Sequence, residues 1–171
     1  SQCRAYSLTP RACRATSDIT NFHNYVMPFP NVYVLGPNIK YFVEHGVVGL
    51  YEEGNGHGPG SDLDALKAYV TQSMMWEPDA DDKALIAAFL ESYYGAQAGP
   101  FVRLYIDIMH GTVADTGFYV HENFELPGFL TAVSLLSSAE ALNRAGAVAS
   151  TGEQAQRIEV AKLAVHYPML I

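Results

Sequence analysis

The stretch Gly46-Val47-Val48-Gly49-Leu50-Tyr51-Glu52-Glu53-Gly54-Asn55-Gly56-His57-Gly58-Pro59-Gly60 decides how this chain is read. Its apolar run, Val47 to Tyr51, predicts a buried strand, and two glutamates close it directly before a glycine-rich loop. Carboxylates at the C-terminal end of a buried strand, opening onto a loop, are where parallel α/β enzymes usually keep their chemistry. Side chains alternate along a strand, so Glu52 and Glu53 point to opposite faces and at most one serves a given bond.

Working backwards, Pro37 suits the first turn of a helix carrying Ile39, Phe42 and Val43, with Gly46 as its C-terminal stop. Helix, glycine and buried strand make half of an αβ repeat. Before it, Asn21-Phe22-His23-Asn24-Tyr25-Val26-Met27-Pro28-Phe29-Pro30-Asn31 holds two prolines within three residues, which forbids a regular helix and predicts an ordered, extended loop able to line a pocket. Residues 1–18 carry three Arg and both cysteines with no periodicity, and read as a loosely ordered leader.

Working forwards, the chain becomes helical. Ser61 or Asp62 can cap a helix with Leu63, Leu66, Val70 and Met74 at helical spacing, ending near Trp76-Glu77-Pro78. Trp76, beside Met74 and Met75, reads as core. Asp79 to Asp82 open a second helix through Leu85, Phe89 and Leu90 to Gly95, and Pro100 a third to Gly111, with Phe101, Leu104, Tyr105, Ile108 and Met109 inward. Residues 112–128 read as irregular, with a short extended piece at 118–120, and two further helices are expected over 129–148 and 152–167. The fold class is therefore mainly α with one or two strands.

Charge and composition exclude several functions. Ten Lys and Arg against eighteen Asp and Glu give a net charge of −8, which opposes a nucleic-acid partner. No apolar run is long enough to span a membrane, and Ser1-Gln2-Cys3-Arg4 lacks a signal-peptide core, so localisation stays open. Cys3 and Cys13 pair locally or stay free according to compartment, and neither they nor the scattered histidines have zinc spacing, so no metal or other cofactor is expected. The loop at 54–60 lacks the Gly-Lys-Ser/Thr ending of a phosphate-binding loop.

The motifs Asn21 to Asn31, Leu35-Gly36-Pro37-Asn38-Ile39, Gly46 to Gly54 and Trp76-Glu77-Pro78-Asp79-Ala80-Asp81 together resemble a large bacterial domain family of originally unknown function, related to glycoside hydrolases. That family is commonly preceded by an α-glucuronidase-like domain, and some members are endo-β-N-acetylglucosaminidases that cut the N-glycan core. The resemblance spans residues 19–171. It implies that 19–60 are the last part of a (β/α)8 barrel and 61–171 a helical C-terminal region. Members carry an aromatic strand before the Asn-Phe motif, and here the Arg- and Cys-containing leader replaces it.

One strand cannot satisfy its own backbone groups, and 171 residues fall short of the roughly 250 of a complete barrel, so the chain reads as the end of something larger. The expected function is that of a C-terminal fragment of a glycoside-hydrolase-like protein, inactive alone and periplasmic or secreted if the family role holds. The family pattern favours Glu52 as the catalytic carboxylate, with the second in the missing part. His23, Asn24, Tyr25, Glu53, Asn55 and His57 are the expected sugar contacts. The partners are then an oligosaccharide or glycan and either the missing barrel segment or a second copy. The alternative is a non-catalytic helical carbohydrate-binding or protein-interaction module.

Overall fold

A computed structural model describes residues 13–58, 60–125 and 127–171 of the protein. In chain order its elements are β1 (Cys13–Asp18), α1 (Val32–Glu44), β2 (Val47–Glu53), α2 (Asp64–Trp76), α3 (Asp82–Tyr94), α4 (Gly99–Thr116), α5 (Ala132–Ala147) and α6 (Gly152–His166). The described chain is thus mainly helical, with six helices and one two-stranded sheet.

The first strand corrects the sequence reading. Residues 13–18 are not a loose leader; they lie parallel to β2, with Ala15 opposite Leu50, Ser17 opposite Glu52 and Asp18 opposite Glu53. Cys-Arg-Ala-Thr-Ser-Asp has no apolar alternation to announce a strand. Ladder hydrogen bonds and the burial of Ala15 place it instead. The rest of the expected leader, 1–12, lies outside the described residues.

With α1 as the crossover, β1 and β2 form one βαβ unit. A register skip between Cys13 and Arg14 leaves Val48 unmatched, a β-bulge that turns this valine outward to 68 % exposure although its spacing from Leu50 predicts the same face. Beyond the bulge the alternation is regular. Ala15 is buried and Leu50 packs on the helical core, whereas Tyr51 on the opposite face is exposed.

Helix α1 starts at Val32, five residues before the expected Pro37. Pro37 sits inside it on the exposed side, where losing one backbone donor is tolerated. Gly36 matters more: a Cβ there would lie 2.6 Å from Asp82 Cβ, so only glycine lets α1 meet the start of α3. Gly46, at φ +75°, ends the connection into β2 as expected.

The bundle follows its capping residues. Asp81 caps α3 by accepting from the backbone of Lys83 and Ala84, Thr131 and Ser134 form a capping box on α5, and Thr151 caps α6. Helix α4 runs through Gly111, whose φ is not positive, to Thr116; the stop is Gly117, in the left-handed region at φ +63°. Residues 118–120 form no strand. The α4 core stripe is Val102, Tyr105, Ile106 and Met109, with Leu104 turned outward. Trp76 is 91 % exposed rather than core: two residues beyond buried Met74 on a helix is a turn of about 200°, the far side.

Candidate functional site

The C-terminal ends of β1 and β2 lie side by side, which pairs Ser17 with Glu52 on one face of the sheet and Asp18 with Glu53 on the other. Glu52 shares its face with Leu50 and is half-buried, and Glu53 is exposed. Burial pushes the Glu52 carboxyl up to about 7, with the charge of Asp18 adding to the rise and a hydrogen bond from Ser17 opposing it. Its Oε2 is buried and has no hydrogen-bond partner. Asp18 is also raised from its usual value, first by burial and then by Glu122 and Glu53.

Two loops frame these strand ends. In the glycine-rich loop Asn55 accepts from the backbone of His57 and donates to the carbonyl of Gly58, so the loop is shaped by its own Asx turn. The His57 ring lies 5.9 Å from that of Tyr25, which joins this loop to the aromatic one. His23 is exposed and faces Glu125 at 3.6 Å, while Asn24 turns back to the backbone of Val26. Tyr25, Asn55 and His57 are therefore gathered beside the strand ends. His23 is tied instead to the 121–125 segment, which Asn21 also anchors through hydrogen bonds to Phe124.

Beneath the loops lies a polar cluster that sequence reasoning missed. Asp62 does not cap α2; Leu63, at φ +52°, takes that position. The Asp62 carboxylate turns inward, accepting from Phe29 N at 2.8 Å, Tyr105 Oη at 2.7 Å and Lys67 Nζ at 3.4 Å. Lys67 also donates to the Phe29 carbonyl at 2.9 Å. All three side chains are buried, and the cluster pins the Pro28-Phe29-Pro30 corner to the bundle. The only sequence signal was a charge at an apolar position of α2, Lys67 following Leu66. Close by, burial and Lys67 bring His110 down to about 4, leaving it neutral to accept from Tyr33 N at 3.4 Å.

Two clefts open beside the strand ends, and Glu52 lines neither. A cavity of about 290 Å³ lies against Ile19, Thr20, Gly54, Asn55 and the start of α2. A larger cleft of about 680 Å³ runs from Ser17 and Asp18 along α1 to the 118–122 segment. Among the described residues no group of three His, Cys, Asp or Glu is arranged to hold a metal ion, and no helix is long and apolar enough to cross a membrane.

A family described as a domain of unknown function, DUF4838, matches residues 17–107, just over half of the chain. The chain belongs to this family. The DUF4838 match takes in the end of β1, the aromatic loop, α1, β2, the glycine-rich loop, α2, α3 and half of α4, and so every candidate site residue above except His110 and those of the 118–125 segment. It is shorter than the 19–171 span of the motif resemblance; α5 and α6 lie beyond it. Among curated proteins and solved structures, none matches the chain.

Proposed function

We propose that this DUF4838 chain is the C-terminal part of a glycoside-hydrolase-like protein that acts on glycans, with Glu52 as general acid. One observation carries the reading. A half-buried carboxyl at the end of a parallel strand, held near pH 7 by desolvation and with one oxygen unpartnered, keeps a proton available for a leaving-group oxygen. Structural carboxylates are normally hydrogen-bonded, so an orphaned one marks a site made for something else.

Tyr25, Asn55 and His57, gathered on the adjoining loops, and exposed Glu53 are the sugar contacts in this reading, with His23 and Asn24 at its margin. The second carboxylate comes from barrel strands outside this chain, and the substrate is a glycan of the kind opened by endo-β-N-acetylglucosaminidases. Two strands supply only part of a parallel sheet, which supports a covering partner: a preceding barrel segment or, without it, a second copy.

The mainly helical content and the lack, among the described residues, of a second carboxylate on the Glu52 face favour the alternative of a non-catalytic carbohydrate-binding or interaction module. A Glu52→Gln variant of the intact protein separates the two. Loss of glycan hydrolysis with retained folding supports the hydrolase; unchanged hydrolysis leaves the module.

A further inference from the structure

The larger cleft has a lining that the reading above does not use. Asn31 occupies the N-cap of α1, where an asparagine side chain ordinarily accepts from the first-turn backbone. Here it makes no such bond: Asn31 is 6 % exposed, and its Oδ1 has no partner at all. It lines the cleft together with the carboxylates of Asp18 and Glu122, so these three polar groups all present acceptor oxygens. Aromatic rings also line it, of which Tyr41 on α1 is 55 % exposed and Tyr119 on the 118–122 segment is 82 % exposed.

Clustered acceptors need a ligand rich in donors, and flat apolar walls need one with flat C–H faces. A pyranose ring has both, hydroxyl donors on its rim and C–H faces above and below. A cation would use the carboxylates but not the rings, and no metal-holding arrangement exists among the described residues. A cleft of about 680 Å³ falls within the usual size of small-molecule sites.

We propose that this cleft is a saccharide subsite, in which Asn31 Oδ1, Asp18 and Glu122 accept from sugar hydroxyls between the rings of Tyr41 and Tyr119. The assignment rests on the glycan reading of the preceding section and extends it: Ser17, the register partner of Glu52, and Asp18, that of Glu53, both line this cleft and join it to the strand ends.

The test is calorimetric titration of the 171-residue chain with cellotetraose and N-acetylchitotetraose, in EDTA and again with added calcium. Two variants accompany it. Tyr119→Ala removes an exposed ring with little risk to folding. Asn31→Leu removes the unpartnered acceptor, and because that acceptor is unsatisfied its loss leaves thermal stability unchanged or higher. The expected result is saturable binding of at least one saccharide in EDTA, weakened about fivefold by each variant, Asn31→Leu through one lost hydrogen bond and Tyr119→Ala through one lost ring face. Absence of saturable binding, binding indifferent to both variants, or binding that EDTA abolishes each overturns the subsite. Its failure is distinguishable from that of the hydrolase: loss of hydrolysis in Glu52→Gln with a cleft that binds nothing removes the subsite alone, whereas a binding cleft beside undiminished hydrolysis removes only the catalytic role.

Discussion

Ser17 and Glu52 are partners in register across the parallel pair β1–β2, and Glu52 keeps one carboxyl oxygen, Oε2, buried there without a hydrogen-bond partner. Burying that carboxyl has a measurable consequence for stability.

The native state holds the Glu52 proton up to about pH 7, whereas the unfolded chain releases it at an ordinary carboxylate value. Between those values the native state binds more protons, so this group's contribution is fully present in acid and lost as pH rises to about 7. Glu52→Gln mimics the protonated form. Its thermal midpoint should match the parent at about pH 4.5 and exceed it at about pH 8. Equal midpoints at both would show a carboxyl that ionises freely.

His110 has the opposite sign. Its folded value of about 4 lies below the ordinary histidine value, so its contribution is present at neutral pH and lost as pH falls from about 6.5 to about 4. His110→Gln should flatten the acid limb of the midpoint-versus-pH curve; an unchanged limb would place the acid sensitivity elsewhere.

The Asp62–Lys67–Tyr105 cluster is intolerant of half-removal. Lys67→Ala leaves an uncompensated buried carboxylate and should cost about 3–5 kcal/mol in urea denaturation. The double change Asp62→Asn with Lys67→Met should cost less than the sum of the singles, because no charge remains to be solvated. Additive losses would mean that the two side chains act independently.

Two glycines should respond in opposite directions. Gly36→Ala drives a Cβ into Asp82 and should destabilise by about 1–3 kcal/mol. Gly111→Ala, in an open position within α4, should stabilise by about 0.5–1 kcal/mol. Denaturant midpoints of the two variants check the contrast, and a tolerated Gly36→Ala would refute the close α1–α3 approach.

Much of the bundle was legible because helix signals are local. Asp81 and Gly95 bracket α3, and Leu66, Val70 and Met74 mark the buried stripe of α2, as their spacing predicts. What was not legible depends on partners far along the chain. Residues 13–18 become a strand only because β2 is there to pair with, and Asp62 looks like a cap until Tyr105, forty-three residues away, is seen to donate to it. The start of α1 is not legible because Pro37 resembles a first-turn proline, whereas the break is made by Pro28 and Pro30. At the site, the opposite faces of Glu52 and Glu53 followed from strand alternation alone. The meeting of Tyr25 with His57 and the exposure of Trp76 did not.

The proposed role of Glu52 as the acid of a glycosidase is tested most directly by comparing glycan hydrolysis by the intact protein, Glu52→Gln and Glu53→Gln, each first shown to be folded. Glu52→Gln is expected to lower kcat by at least about 100-fold, the worth of a positioned acid, while Glu53→Gln mainly raises KM. Full activity in Glu52→Gln would contradict it.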